Sequence, residues 1–132
     1  MMGMKTVLLV EDDFEIRDIL QDLLEAEGYD VIPAGNGRQA LQFLAENRSI
    51  GPDLVILDIM MPMIDGRQVL EVMQRDQALA EIPVIVISAI AHETPVGART
   101  LLRKPFSLEK LFRTVRIYTD EPPTPGEAGT IH

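Results

Sequence analysis

The stretch Leu54-Val55-Ile56-Leu57-Asp58-Ile59-Met60-Met61-Pro62 decides the fold. Its first four residues are apolar and rich in β-branching, Gly51-Pro52 precedes them, and Pro62 and Gly66 break the chain beyond it. A short apolar run bounded in this way reads as a strand buried on both faces, the type found in parallel sheets. Asp58 stands where that strand runs out. In open parallel sheets, ligands and chemistry gather just outside the carboxyl ends of the strands. A carboxylate there can act as a nucleophile, a metal ligand or both, so Asp58 is the candidate reactive centre.

Outward from this strand the same pattern recurs. Thr6 to Val10 is a second buried strand, followed by Glu11-Asp12-Asp13 and a helix with Ile16, Ile19, Leu20, Leu23 and Leu24 expected on its inner face. Asp12 and Glu15 have capping-box spacing, and Gly28 supplies the stop. Tyr29 to Ala34 is a strand weakened by Pro33, and Asn36-Gly37-Arg38-Gln39 opens a helix that ends near Asn47. Beyond Asp58, Asp65-Gly66 starts a helix through Val69, Leu70, Val72 and Met73. Val84 to Ile87 is a strand ending at Ser88, and Thr100 to Arg103 is a strand ending at Lys104-Pro105. Ser107 caps a last helix with Leu108, Leu111, Phe112 and Val115 inward. Strands alternating with helices predict an α/β fold, a doubly wound parallel sheet of five strands.

Composition bounds the function. The 132 residues suffice for one domain, here 1–119, with a polar tail or linker stub at 120–132 that has almost nothing to bury. Nothing after Tyr118 has the content of a DNA-binding domain. A net charge of −9 argues against direct binding to nucleic acid or an anionic membrane and suits a cation or a basic partner. There is no cysteine, and the short apolar run near the N-terminus is neither a signal peptide nor a span, so a cytoplasmic location is expected.

Polar residues interrupt the apolar pattern at the C-terminal strand ends: Glu11 and Asp12, Asp58, Ser88, and Lys104. If the first and third strands are neighbours, three carboxylates share one crevice. Two unit charges about 4 Å apart repel by roughly 4 kcal/mol at an effective dielectric of 20. A cation or a proton must relieve that repulsion, and hard oxygen ligands in a wet site suit Mg²⁺. A hydroxyl and an ammonium opposite would clamp the oxygens of a phosphoryl group on Asp58. Taken singly, Asp12 or Asp13 is more often a helix cap, Ser88 a turn former and Lys104 a solvated charge; only their joint placement points to chemistry.

These pieces, Leu8 to Asp13, Leu57 to Pro62 with Asp65-Gly66, Val86 to Ala89, and Lys104-Pro105-Phe106, resemble a response-regulator receiver domain over residues 5 to 118. The resemblance implies a flavodoxin-like, CheY-like sheet in the order 2-1-3-4-5. It implies that Asp58 accepts a phosphoryl group from a histidine kinase or phosphotransfer protein. It further implies direct Mg²⁺ binding by Asp12, help from Glu11 through water, a ligand from the Met60 carbonyl, and phosphoryl contacts from Ser88 and Lys104. It implies a cis Lys104-Pro105 bond and a phosphoacceptor switch rather than a substrate-turnover enzyme.

Two departures from the family stand out. The segment from Ser88 to Gly97 is shorter than usual by about six residues, well over one helical turn of about 3.6 residues, and holds Pro95. A loop or single turn is expected where the fourth helix belongs. The aromatic residue usual three positions before the lysine is Leu101. A helix missing there would bare one flank of the fourth and fifth strands and invite an output partner or a homodimer. Met60 and Ile90, two residues beyond Asp58 and Ser88, cannot position an attacking water, which predicts slow self-dephosphorylation. The alternative is a receiver-like interaction module that signals without phosphorylation. An aspartyl-phosphate hydrolase of the dehalogenase type would want an acid where Met60 stands.

Overall fold

The computed structural model describes residues 4–59, 66–89 and 93–119; the Met60 carbonyl, Ile90 and the tail lie outside the described residues. Five parallel strands run β1 Thr6–Val10, β2 Asp30–Ala34, β3 Leu54–Asp58, β4 Val84–Ser88 and β5 Thr100–Arg103, in the order β2-β1-β3-β4-β5. The helices are α1 Phe14–Ala26, α2 Gly37–Glu46, α3 Gly66–Arg75, α4 Gln77–Ala80 and α5 Leu108–Thr119, with a 3-10 turn at Arg48–Ile50. The expected sheet order and strand positions hold.

Period-two alternation divides the core into two layers. Leu8, Val10, Val55, Leu57, Val84 and Val86 pack toward α2 and α3, whereas Val7, Leu9, Leu54, Ile56, Ile85 and Ile87 pack toward α1 and α5. All five residues of β3 are buried, as its sequence demands for a central strand. Pro33 is tolerated because β2 is an edge strand with one partner, β1.

Local chemistry sets the helix ends. The Asn36 side chain accepts from Gln39 N at 2.8 Å, while Gln39 Oε1 accepts from Gly35 N at 2.7 Å, a reciprocal closure of the α2 start. Ser107 Oγ accepts from Lys110 N at 3.1 Å before α5. Gly28 follows α1 with φ +99, the left-handed conformation that glycine adopts without a Cβ clash.

Three expectations are corrected. Asp13, not Asp12, caps α1, its Oδ1 accepting from Glu15 N at 3.0 Å and Ile16 N at 3.1 Å. Ile16 and Ile19 are exposed, because α1 lies on the sheet along Leu20 and Leu24 and its apolar stripe is wider than that contact. Leu108, in the first turn of α5, is likewise exposed. In addition, α4 is a four-residue turn that the apolar pattern does not announce; Asp76 caps it and pairs with Arg48 at 2.7 Å.

Among the described residues there is no helix between β4 and β5. The missing helix does not bare β4, however: Val84, Val86 and Ile87 are buried, and on β5 Leu101 is half-buried. Pro95, Val96 and Gly97 lie near α3 instead. Gly97, at φ +97, sits against the Gln74 side chain, and Arg99 N donates to Val84 O at 2.8 Å. A cavity of about 560 Å³ lined by Leu70, Gln74, Arg75, Pro95 and Val96 marks the remaining gap.

Candidate functional site

The parallel registers bring the strand-end polar residues to one level. Val10 pairs with Leu57, so Glu11 and Asp58 follow side by side on neighbouring strands. Asp58 is in register with Ile87, one residue before Ser88, and Lys104 N donates to Ser88 O at 2.9 Å. Continuing the alternation, Glu11, Asp58 and Lys104 share the parity of the α1/α5 layer, so the lysine reaches over both acids. Its Nζ lies 3.3 Å from Asp58 Oδ2 and 3.8 Å from Glu11 Oε1. Ser88 is completely buried at the end of β4. The Lys104-Pro105 peptide is cis, as expected from the resemblance.

Glu11, Asp12 and Asp58 form the acidic cluster, each offering a carboxylate oxygen, with these atoms within 4.8 Å of one another. Glu11 and Asp58 are buried, at 2% and 4% exposure, and Asp12 is exposed. The division arises at the strand end: Glu11 still belongs to the sheet, its N–H donating to Ala34 O at 3.0 Å, whereas Asp12 is in the loop. Because Asp13 takes the capping task, Asp12 is left for the cluster.

Burial pushes the Glu11 carboxyl up to about 7. The Asp13 N–H donating to its Oε2 at 3.1 Å opposes this, the Asp58 charge reinforces it, and Lys104 opposes it. Glu11 Oε1 is buried without a hydrogen-bond partner. An orphaned carboxylate oxygen facing two further carboxylates fits a hard divalent cation, since buried anionic oxygens otherwise lose their hydration uncompensated.

This raised carboxyl makes both stability and metal binding depend on pH. A carboxyl whose folded pKa is raised from 4.5 to about 7 stabilises the fold below pH 4.5 and loses that contribution as pH rises through 7. We expect the metal-free protein to lose on the order of 3 kcal/mol between these limits from this group. Mg²⁺ must displace the proton, so its affinity should rise by roughly thirtyfold from pH 5.5 to pH 8. Amide chemical-shift titration at both pH values measures this; equal affinities would refute it.

The strand-end residues Glu11, Asp12, Asp58, Ser88 and Lys104 therefore come together, and the Met60 carbonyl lies outside the described residues. Sequence reasoning did not single out Arg17, whose Nη1 donates to Glu11 O at 2.8 Å. Its position four residues after the capping Asp13 was the available signal. Beside Lys104 opens an apolar cleft of about 530 Å³ lined by Ile16, Leu20, Ala89, Pro105 and Phe106.

The family described as the response regulator receiver domain matches residues 7–116. The polar-differentiation response regulator DivK of Brucella anthropi is 33% identical over 120 residues, covering 86% of this chain and 95% of DivK. The Thermotoga maritima response regulator TrrA, solved in complex with Mg²⁺ and BeF, superposes with a TM-score of 0.76 at 32% identity, covering 87% of this chain and 99% of TrrA. The chemotaxis protein CheY4 of Vibrio cholerae gives 0.76 at 28% identity over 88% of this chain and 99% of its own. Receiver domains are regulators rather than substrate-turnover enzymes, bind Mg²⁺ in an acidic site and interact with histidine kinases or phosphotransfer proteins. Among the described residues, no helix is long and apolar enough to cross a membrane. With the family matched along almost the whole sheet and the acidic cluster at its strand ends, the chain belongs to the response-regulator receiver domains of two-component signalling.

Proposed function

We propose that this protein is a cytoplasmic phosphoacceptor switch whose receiver spans 1–119. Asp58 takes a phosphoryl group from a histidine kinase or phosphotransfer protein, and the result is read by protein–protein contact. The observation that carries this is the convergence of Glu11, Asp12 and Asp58 with the Lys104 ammonium at 3.3 Å from Asp58. A carboxylate oxygen of Asp58 attacks phosphorus, an O–P bond forms, and the N–P bond to the donor histidine breaks. The electron pair returns to the imidazole nitrogen, which is then protonated. Lys104 moves from carboxylate to phosphoryl oxygen, and the Ser88 hydroxyl donates to another. Asp12 and Asp58, with Glu11 through water and the Met60 carbonyl, would hold Mg²⁺. When bound, it neutralises charge on the transferring group.

A second reading, a partner-binding module that works without phosphorylation, is favoured by Leu101 and by the lack of a helix between β4 and β5 among the described residues. Beryllofluoride with Mg²⁺ separates them: chemical-shift changes centred on Asp58, Ser88 and Lys104 are expected of the switch, and their absence supports the module. Slow self-dephosphorylation is the further expectation from apolar Met60 and Ile90. Phosphate release should accelerate in the Met60→Asn variant by about tenfold, within the range of a positioned polar group. Release faster in the unaltered protein rejects it.

A further inference from the structure

Arg17 Nη1 donates to the Glu11 backbone carbonyl at 2.8 Å, one residue before Asp12, and among the described residues Arg17 makes no ion pair within 4 Å with Glu11, Asp12 or Asp58. Two features set the place of this guanidinium. The side chain lies over the Phe14 ring, 5.6 Å from guanidinium carbon to ring centroid. Its other flank meets the turn between β2 and α2, where a Cβ added at Gly35 would lie 3.3 Å from Nη1. The Arg17 N–H donates to Asp13 O at 2.9 Å, the first backbone bond of α1, so the side-chain bond to Glu11 O ties the helix start back to the end of β1. The Glu11 peptide is thereby fixed on both sides, its N–H by Ala34 and its carbonyl by Arg17.

We infer that Arg17 is a positioning residue for the acidic loop: its bond to the Glu11 carbonyl holds Glu11 and Asp12 set toward Asp58 while its charge stays off the carboxylates. This rests on reading the cluster as a divalent-cation site and goes beyond it by assigning the residue that orders it. Partners that orient metal ligands matter nearly as much as the ligands themselves.

Charge and positioning predict opposite signs for the loss of this side chain. By charge alone, removing a cation beside a cation site tightens metal binding. By positioning, it weakens it, because the loop must then be ordered at the expense of binding. The test is Mg²⁺ titration of the whole chain, followed by amide chemical shifts, for the unaltered protein, Arg17→Met and Arg17→Lys, each first confirmed folded by its spectrum. Arg17→Met is expected to bind Mg²⁺ roughly tenfold more weakly. Arg17→Lys, which still donates to a carbonyl, should stay within about twofold of the unaltered protein. Unchanged or tighter binding by Arg17→Met overturns the inference. Equal weakening in both variants also overturns it, since the loss would then come from packing on Phe14. If the unaltered protein binds no Mg²⁺, the reading of the cluster fails and the inference falls with it.

Discussion

Asp58→Asn should reduce phosphorylation by acetyl phosphate or a phosphohistidine donor to the background of the assay, and at the same time raise the stability of the metal-free domain at pH 8. The first effect is chemical: an amide has no anionic oxygen to attack phosphorus. The second is electrostatic. Asp58 is 4% exposed and shares its crevice with Glu11 and Asp12, so an amide in its place removes a like charge from a crowded acidic cluster. A like pair at about 4 Å costs roughly 4 kcal/mol at an effective dielectric of 20. Lys104 at 3.3 Å offsets part of the combined repulsion from the two acids, and the neutral variant is expected to come out the more stable. The gain should shrink at pH 5, where Glu11, raised to about 7, is already protonated. Thermal melts in EDTA at both pH values and a phosphotransfer assay measure the pair of effects. A variant that is less stable than the parent at pH 8, or one that still accepts phosphate, contradicts the reading of this crevice.

The positions of Asp58, Ser88 and Lys104 were legible in sequence because each ends an apolar run, and a parallel register then fixes them at one level. The division of labour among Glu11, Asp12 and Asp13 was not. Three consecutive acids look alike until the helix start chooses one as its cap, and that choice depends on where β1 releases the chain. Since β1 pairs as far as Val10 and Glu11 N still donates to Ala34 O, the cap falls on Asp13. The exposure of Ile16 and Ile19 was hidden for a related reason: periodicity reports which residues share a face, not how much of that face a neighbour covers. The turn Gln77–Ala80 is too short to carry a periodic signal, and its cap, Asp76, is also held by Arg48 from a distant part of the sequence. That no helix stands between β4 and β5 among the described residues was legible from chain length and Pro95. That β4 stays covered was not, because the cover comes from α3 and residues 95–97 beside it.

Gly66→Ala is expected to be the most damaging single-methyl change in the described chain. Gly66 opens α3 directly over the end of β3. A Cβ there would lie 2.5 Å from Ile59 Cα, 2.8 Å from Ile59 Cγ2 and 2.9 Å from Asp58 O. Two of these are backbone atoms of a fully buried strand end, which cannot swing aside as the tip of a flexible side chain can. Either α3 lifts from the sheet, opening the contact made by Val69, Leu70 and Met73, or the Asp58–Ile59 peptide is displaced. Overpacking of this kind costs about 3 kcal/mol or more. For a domain of this size that is a drop in melting temperature of about 10 °C. Gly97→Ala is the internal control. It carries the left-handed φ of +97, but its Cβ would meet only the Gln74 side chain, at 3.0 to 3.2 Å, so about 1 kcal/mol is expected from the backbone conformation. The two variants also separate in function: Gly66→Ala moves the Asp58 peptide and should weaken Mg²⁺ and beryllofluoride binding even at temperatures where it is folded. Gly97→Ala should leave both intact. Equal melting temperatures for the two variants would mean that α3 accommodates the methyl group without disturbing β3, and that the close approach of helix to strand is not what fixes Asp58.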